Sequence, residues 1–400
     1  MTARVVAAWL CSAALASAAA GAALPAADVA ATSLSATAQL GRQIFFDPSL
    51  SASGQLSCAS CHSPAFAYSS PSGGFAPVGG ALLDQPPLRT VPSLRYLDHT
   101  PRFTRHYYLD HGEEREDEGP AGGFMLDGRA DNLHAQALLP WLDAAEMGNA
   151  NIEGLARRLR IAAYSASLQQ LFGAAVFEDA RRAVAAAALA LERFELEDPS
   201  FHPYSSRFDH FLAGQETLTG QELRGLQLFV DPLKGNCAAC HPNTRGPGGR
   251  GPQFTDYAYR ALGVPRNPEI AANAEPNFYD LGLCGPRRTD LRAETQYCGY
   301  FKTPSLRNSA RRQRFFHNGR FHTLEQVLQF YAQRDTAPQR WYPSVRGQLR
   351  RFDDLPARYR DRVDTSDPPF DRRPGDAAAL SAQEIGDLIA FLKTLDDQDP

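Results

Sequence analysis

Apolar residues recur at helical spacing in several parts of this chain, and polar residues mark where the helices begin. Three segments, 219–222, 323–326 and 381–384, match the capping box that opens a helix. After the third box, the apolar positions share one helical face: Ile385, Leu388, Ile389 and Leu392. A further helix is expected over residues 180–195. The pattern predicts a mainly α fold with long connecting loops.

The first residues show a different pattern. Arg4 is followed by an apolar and small-residue run from Val5 to Ala20, and small residues around Ala18 to Ala23 suit cleavage. A membrane anchor is the alternative, but the run is short and rich in alanine. Residues 1–23 are therefore predicted to be a signal peptide. No later stretch is apolar for long enough to span a bilayer, so the mature chain is predicted to be soluble and periplasmic.

Charge and cysteine content narrow the classes of function. The 400-residue chain has a formal net charge of -4, and neither half is strongly basic, which argues against nucleic-acid binding. Cys11 would leave with the signal peptide, so six of the seven cysteines remain. Two of them, Cys284 and Cys298, are expected to form a disulfide in an oxidising compartment, with two free thiols as the alternative.

The other four cysteines lie in two C-x-x-C-H motifs, at residues 58–62 and 237–241. Two thiols one helical turn apart can bond both vinyl groups of one haem, and the adjoining histidine, His62 or His241, then becomes the proximal ligand of the iron. A single motif would also suit a redox disulfide or half of a zinc site. Two copies in an exported chain predict two covalently bound c-type haems. The attachment residues are Cys58, Cys61, Cys237 and Cys240.

The surroundings of the two motifs repeat as well. Gly, Gln, Phe, Asp and Pro recur at matching offsets in residues 41–48 and 225–232. The repeat predicts an internal duplication of a cytochrome c-like haem domain, in which helices close over an attachment loop. Residues 198–205 resemble a linker. We therefore expect an N-terminal domain over residues 24–215 and a C-terminal domain over residues 216–400.

The sixth ligand of each iron decides whether the haem can react. All methionines precede the second attachment motif: Met1, Met125 and Met147. The second domain therefore has no methionine of its own to offer its haem. Its candidate ligands are His317, His322 and Tyr331. Tyr331 shares an inward helical face with apolar residues that follow the 323–326 box, and on this ground alone it suits a packed core position.

Blocks of residues in a fixed order carry a resemblance to a known family. They are 45–54 leading into 57–62, Asp127-Gly-Arg129, Gln136, Pro140, Glu146-Met147-Gly148, 301–308, 315–319 and Thr323-Leu324. This order resembles the bacterial di-haem cytochrome c peroxidases, including their MauG-like branch, over nearly the whole mature chain. The resemblance implies that hydrogen peroxide reacts at the N-terminal haem and that the C-terminal haem shares the oxidising equivalents.

In this family the sixth ligand of the C-terminal haem comes from the helix after the Phe-His-x-Gly block, as methionine in peroxidases and as tyrosine in MauG-like members. The resemblance therefore assigns Tyr331 to the iron, with His322 as the runner-up and His317 as a group beside the haem. A phenolate is a hard, anionic ligand that favours oxidised iron. We expect this haem to store an oxidising equivalent.

The family splits peroxide with a carboxyl group that moves a proton and an amide that orients the substrate. The resemblance assigns these roles to Glu146 and Gln136, whereas a solvated helix residue is the plainer interpretation of Glu146. Many members block the first iron with a histidine soon after the first motif, but residues 63–98 contain none. The next histidines are His99, His106 and His111. We therefore expect the first haem to be open in the ferric protein.

Two positions depart from the family pattern. Leu126 replaces the tryptophan that bridges the two haems, and Trp141 or direct contact of the haem edges could take its place. Family members also bind a calcium ion, partly through an asparagine for which this chain has Thr90. Two further calcium ligands would be backbone carbonyls near Arg312 and Arg314. Calcium therefore stays an open expectation.

The leading hypothesis is a MauG-like periplasmic enzyme that uses hydrogen peroxide to oxidise a partner protein. The first alternative is a conventional cytochrome c peroxidase that receives electrons from a small redox protein. The second is a non-catalytic di-haem electron carrier, against which Glu146 and Gln136 argue. Tyr331 and the missing blocking histidine favour the leading hypothesis, whereas Leu126 weighs against it.

Overall fold

Helices supply most of the regular structure of the chain. The computed structural model describes residues 33–71, 75–110, 115–117 and 119–398. The predicted signal peptide, residues 1–23, lies outside the described residues. The α-helices of the described part are α1 (Ala36–Phe45), α2 (Cys58–Cys61), α3 (Leu133–Leu142), α4 (Ile152–Ile161), α5 (Ser165–Phe172), α6 (Ala180–Glu197), α7 (Arg207–Leu212), α8 (Gly220–Val230), α9 (Leu324–Gln333) and α10 (Ala382–Lys393).

Short elements punctuate the long loops between these helices. The 3-10 helices cover Pro48–Leu50, Pro64–Phe66, Ala174–Phe177, Pro199–Phe201, Cys237–Ala239, Pro247–Gly249, Ala271–Ala274, Thr295–Tyr297, Ser309–Arg311, Pro338–Arg340 and Ala357–Arg362. The strands form separate antiparallel pairs: β1 (Tyr108–Asp110) with β2 (Arg115–Asp117), β3 (Tyr259–Arg260) with β4 (Phe301–Lys302), and β5 (Ser344–Val345) with β6 (Gln348–Leu349). The predicted mainly α character is therefore confirmed.

The predicted capping boxes open the helices expected of them. At 219–222 and 381–384, the cap hydroxyl accepts a bond from the glutamate N–H, and the glutamate carboxylate accepts one from the cap N–H. These boxes begin α8 and α10. Thr323 caps α9 in the same way, but the Gln326 side chain accepts its bond from the N–H of His322 instead. The third box is therefore only half formed.

Two helix pairs cross at glycines. α1 packs across α6, the helix predicted over residues 180–195, and α8 packs across α10. A Cβ atom on Gly41 would lie 1.9 Å from the carbonyl oxygen of Ala190, and one on Gly225 would lie 2.1 Å from that of Asp387. Glycine is needed at both crossings because any side chain would collide with the opposing backbone.

Each helix pair packs into a hydrophobic core of its own. The first core contains Phe45, Leu191 and Phe194, and a second contains Phe229 and Phe391. A third, smaller core surrounds α9. All of these lie within one compact unit that begins at residue 34. The predicted domain boundary near residue 215 stays a prediction.

Phe201 corrects the prediction that residues 198–205 form a linker. Its side chain is 1 % exposed, and its ring stacks on Tyr68 with the ring centroids 4.0 Å apart. It also meets Phe194 edge to face at 5.1 Å. Burial of an aromatic ring is worth a few kcal/mol. The segment is therefore anchored in the first core rather than free.

Buried polar contacts connect the loop after the first motif to the residues that follow α10. The Tyr96 hydroxyl donates to Asp397 Oδ1 at 2.6 Å, and Arg95 Nη1 lies 3.3 Å from Asp397 Oδ2. Asn308 Nδ2 donates to the same carboxylate at 2.6 Å. The predicted disulfide between Cys284 and Cys298 is confirmed, with the two Cα atoms 5.0 Å apart.

Candidate haem sites and their surroundings

The first C-x-x-C-H motif forms the single turn α2. Ser60 accepts a bond from the N–H of Ser57 and so fixes the start of the turn. The two thiols are half-buried, and burial raises the pKa of Cys58 and of Cys61 to about 12. They are therefore neutral thiols, one turn apart, as haem attachment requires.

The histidines of both motifs are oriented in the same way. His62 Nδ1–H donates to the carbonyl oxygen of Tyr68 at 3.0 Å, and His241 Nδ1–H donates to that of Phe254 at 2.9 Å. Burial lowers the pKa of both imidazoles, that of His62 to about 4. Each ring is therefore neutral and donates through Nδ1, which is the tautomer whose Nε2 lone pair can bind iron.

A repeated tetrapeptide, Pro-Ser-Leu-Arg, supports these two loops; its second copy lies within the 301–308 block, but the repetition itself was not among the predicted features. The Ser93 hydroxyl donates to the carbonyl of Ala67, one residue before the acceptor of the first histidine, at 2.6 Å. The Ser305 hydroxyl donates to the carbonyl of Gln253, one residue before the acceptor of the second, at 2.7 Å. The repetition itself was the signal that could have identified both serines.

A cavity of about 540 Å³ lies beside the second motif. The predicted haem-binding residues Cys237, Cys240, His241, Tyr331 and His317 all line it. Much of the remaining wall is apolar: Leu262, Val264, Phe316, Val327 and Leu388. Cofactor pockets usually have volumes of roughly 300–1,000 Å³ and mainly apolar walls. The cavity therefore fits a haem attached through the two cysteines.

Tyr331 reaches this cavity from the last turn of α9. Its ring packs against Phe316 and Phe370, with ring centroids 5.9 Å and 5.4 Å away. Burial raises the pKa of the phenol, and the nearby thiols of Cys240 and Cys237 add to the rise. The Tyr331 phenol therefore lies close to the attachment cysteines. It stays neutral as long as no cation is bound to its oxygen.

The two neighbouring histidines lie in different surroundings. His317 is buried on the cavity wall, stacked on Phe301 at a centroid distance of 3.6 Å, with Nε2 3.4 Å from a carboxylate oxygen of Asp354. The His322 side chain is 42 % exposed, and Arg314 Nη1 lies 3.1 Å from its Nε2. Of these two histidines, only His317 is among the described residues that line the cavity.

Gln136 and Glu146 come from α3 and the turn that follows it. Gln136 is 6 % exposed and lines the cavity, and its amide oxygen has no hydrogen-bond partner in the described part of the chain. Glu146 is half-buried, and burial raises the pKa of its carboxyl group. Its charge raises the pKa of Cys61, so it lies near the first motif. Glu146 is not among the described residues that line the cavity.

The Glu146 backbone is held by two bonds that the sequence did not reveal. Its N–H donates to the carbonyl of Asp143 at 3.0 Å, and its carbonyl accepts from the N–H of Gly80 at 2.9 Å. A Cβ atom on Gly79 would lie 2.1 Å from the carbonyl oxygen of Ala145. The Gly79-Gly80 pair therefore lets a second loop press against the turn that carries this carboxyl group.

Lys302 adds a buried positive charge to the cavity wall. Its Nζ donates to the carbonyl oxygen of Gly123 at 2.5 Å, and burial lowers its pKa to about 8. Within the described residues, no carboxylate forms a salt bridge with it. The charge of Asp127 favours the protonated form of Lys302, and a further anionic partner, such as a haem propionate, would offset the cost of burying the amine.

Comparisons with known proteins point to one family. Residues 35–217 match the family model described as di-haem cytochrome c peroxidase. The chain is also 34 % identical over 302 residues to the methylamine utilization protein MauG of Paracoccus denitrificans (strain Pd 1222), covering 74 % of each chain. The chain belongs to the di-haem cytochrome c peroxidase family.

Other members of this di-haem peroxidase family agree in sequence and in fold. The cytochrome-c peroxidase IdrP1 of Denitromonas iodatirespirans is 30 % identical over 321 residues, covering 75 % of this chain and 73 % of the relative. The crystal structure of the diheme peroxidase BthA from Burkholderia thailandensis E264 superposes with a TM-score of 0.79 at 38 % identity, over 90 % of this chain and 86 % of that chain. The predicted class of enzyme, a peroxide-using oxidoreductase with two haems, is therefore confirmed.

Leu126, the departure from the bridging tryptophan of the di-haem peroxidases, lines the cavity next to Met125. Its carbonyl accepts a bond from the N–H of Lys302 at 2.9 Å. Trp141 is 1 % exposed and belongs to the first core, and it is not among the described residues on the cavity wall. An aliphatic side chain therefore lies where the indole was expected.

The residues present do not fit the calcium ion of the di-haem peroxidases. The Thr90 hydroxyl donates to the carbonyl of Phe316 at 2.8 Å. Arg312 donates from Nη2 to the carbonyl of Val91 at 3.1 Å and from Nε to that of Arg314 at 3.4 Å. Calcium needs roughly six to eight oxygen ligands and no neighbouring cation. In the described residues, no cluster of three or more acidic, histidine or cysteine side chains could hold a metal ion.

No helix in the parts of the chain that the structure describes is both long and apolar enough to cross a membrane.

Proposed function

We propose that this di-haem peroxidase works in the periplasm with two covalently bound c-type haems of unequal role. Hydrogen peroxide reacts over His62, and oxidising equivalents are shared with the site formed by His241 and Tyr331. A partner protein supplies the electrons, as the similarity to MauG suggests. The apolar run in residues 1–23 supports export.

Tyr331 is the observation that carries this proposal. It lines the same cavity as Cys237, Cys240 and His241. A haem bound there supplies reversible one-electron chemistry, and a phenolate ligand stabilises its oxidised form. The surrounding rings exclude water, so the neutral phenol would lose its proton only to bind the iron. The arrangement suits storage of an oxidising equivalent rather than electron transfer at high potential.

Glu146 and Gln136 provide the groups that peroxide cleavage needs. Burial raises the pKa of Glu146, which favours the protonated form of a carboxyl group that could pass a proton to the departing oxygen of the peroxide. The free amide oxygen of Gln136 can accept a hydrogen bond from the peroxide and fix its orientation. A pure electron carrier has no use for either group.

The histidines that follow the first motif are engaged elsewhere. His99 Nε2 lies 2.9 Å from Asp98 and also contacts Arg250. His106 Nδ1 lies 2.6 Å from Asp117 on an exposed surface. His111 lies outside the described residues. These contacts support a first haem whose sixth position is free for peroxide.

Matched contacts in the two halves support the proposed duplication of a cytochrome c-like domain, with the boundary near residue 215. The helix pairs cross at corresponding glycines, Gly41 and Gly225. The carbonyls that orient the histidines belong to residues with left-handed backbones, Tyr68 at φ 54° and Phe254 at φ 52°. A non-glycine residue rarely adopts this conformation, so its recurrence at corresponding positions argues for a common ancestor.

Spectroscopy of the ferric holoprotein tests the unequal roles. We expect optical and electron paramagnetic spectra of one high-spin and one low-spin haem, and a spectral change with one equivalent of peroxide before any reduction. Tyr331→Phe should alter the low-spin signal, while the control His322→Gln should leave it unchanged. Two low-spin haems in the native protein, or a Tyr331→Phe spectrum identical to the native one, would contradict the proposal.

Leu126 favours a second candidate, a conventional cytochrome c peroxidase. Without an aromatic bridge at this position, the two sites would exchange charge less readily, and a small redox protein would have to deliver electrons one at a time. A requirement for one-electron reduction before the reaction with peroxide would select this candidate.

A further inference from the structure

Arg312 is a buried cation at the junction between the loop after the first motif and the loop before α9. Its guanidinium donates to two backbone carbonyls, that of Val91 at 3.1 Å and that of Arg314 at 3.4 Å. It forms no salt bridge with any carboxylate of the described residues. Burial alone lowers its pKa, to about 10, so it remains charged at neutral pH.

The surroundings of this guanidinium are rich in carbonyl oxygens and bonds between the two loops. The Thr90 N–H donates to the carbonyl of His317 at 2.9 Å, and the Thr90 hydroxyl donates to that of Phe316 at 2.8 Å. Together with the bond from Arg312 to Val91, three contacts join residues 90–91 to residues 312–317. The positive charge of the guanidinium is balanced by the two carbonyl dipoles that it contacts, those of Val91 and Arg314.

A metal ion and this guanidinium exclude each other. The calcium ion expected from the family resemblance would use backbone carbonyls near Arg312 and Arg314, and the guanidinium already contacts the carbonyl oxygen of Arg314. Two cations a few ångströms apart in a buried site repel strongly. The guanidinium is part of the chain, so it is always present at this position, whereas a calcium ion must be bound from solution. The side chain can therefore hold the junction together without any ion.

We propose that the Arg312 guanidinium takes the cation position at this junction, so that the protein needs and binds no calcium there. The proposal does not depend on which residues ligate the haem irons.

Calcium content and thermal unfolding of the holoprotein test the proposal. After dialysis against millimolar calcium and gel filtration, we expect no bound calcium in the native protein by elemental mass spectrometry, and the same unfolding midpoint in calcium and in chelator. Arg312→Met should lower the midpoint in chelator by roughly 5 °C, because the carbonyls lose their cation. Millimolar calcium should restore at least half of that loss.

Two further variants control this experiment. Arg312→Lys keeps the charge and should stay insensitive to calcium, and Arg292→Met removes an exposed arginine and should leave the midpoint unchanged. One calcium ion per native chain would overturn the proposal, even if Arg312→Met fails to fold. A midpoint of Arg312→Met that falls but ignores calcium would also overturn it, because the guanidinium would then serve another anion, such as a haem propionate.

Discussion

α6 and α10 occupy corresponding places in the two halves and differ at the buried position that follows the phenylalanine of each crossing. Each helix meets a glycine of an earlier helix, and the Cβ atoms of Phe194 and Phe391 lie 2.9 Å and 2.7 Å from where those glycines would carry a Cβ. One residue further along, α6 has Glu195 and α10 has Leu392, both buried. At this position the first half therefore carries a carboxyl group and the second half an aliphatic group.

The difference gives the first half a buried carboxyl group with a raised pKa near its attachment motif. One carboxylate oxygen of Glu195 has no hydrogen-bond partner in the described chain, and burial raises its pKa to about 8. Its charge also raises the pKa of the nearby Cys58 thiol. Burial also raises the pKa of Glu146, which lies near Cys61, so two carboxyl groups with raised pKa values lie close to the first attachment motif. Around the second, the corresponding space is apolar or occupied by Tyr331.

The largest expected effect tests this contrast at Glu146. Glu146→Gln removes the proton carrier while keeping the size of the side chain, so the reaction with peroxide should slow by about 10²–10⁴-fold. Stopped-flow spectroscopy of the haem absorbance measures the rate. The exposed Glu153→Gln is the control and should react at the native rate. An unchanged rate in Glu146→Gln would remove this residue from the mechanism.

The next effect concerns Glu195 and the dependence of stability on pH. Burial raises the pKa of the Glu195 carboxyl group in the folded protein from 4.5 to about 8. The contribution of this group to stability is therefore fully present below about pH 4.5 and is lost as the pH rises through 8. Glu195→Leu, which copies the second half, should remove this loss and gain a few kcal/mol near pH 8. Denaturant unfolding at several pH values measures it, with the exposed Glu178→Leu as control. If the unfolding free energies of the native protein and of Glu195→Leu change in parallel with pH, this result would contradict the proposed difference between the two halves.

The glycine crossings should respond alike in both halves. Gly41→Ala and Gly225→Ala each press a methyl group into an opposing backbone, and each should destabilise the protein by about 1–3 kcal/mol. Gly386→Ala, on the open face of α10, should instead stabilise it by about 0.5–1 kcal/mol, because alanine favours the helix. If only one of the variants Gly41→Ala and Gly225→Ala destabilises the protein, the two helix crossings are not equivalent.

The smallest effect concerns the paired serines. Ser93→Ala and Ser305→Ala each leave one backbone carbonyl without its donor, which should cost about 1 kcal/mol in either half. Each variant should also broaden the electron paramagnetic signal of its own haem only, because the adjacent carbonyl orients the histidine of that half. A change at the other haem would contradict the separate support of the two loops.

Local signals predicted much of this structure from sequence. The capping boxes that begin at Thr219 and Ser381 are each recognised from two residues three positions apart. Each haem attachment motif is recognised from five consecutive residues. The order of the blocks indicated Tyr331 and Gln136, both of which the fold brings to one cavity. Interactions within a few residues, or within a recognised motif, were therefore accessible without coordinates.

Contacts over long sequence distances were not accessible. Phe201 looked like part of a polar linker, because its partner Tyr68 lies far away in the chain. No sequence pattern marked Glu195 as buried, because α6 packs against elements that are distant in the chain, including α1. Arg312 likewise acquires its role through the carbonyl of Val91, which no local pattern predicts.

The contacts of Asp397 have a consequence for how the protein is made. Arg95 and Tyr96 are synthesised early, yet the carboxylate that satisfies them appears about 300 residues later, after α10. A ribosome-bound or partly exported chain that stops before this point would leave a guanidinium and a phenol buried without this partner. Early completion of the first half is therefore penalised, so this half should reach its final packing only after the residues that follow α10 have been synthesised.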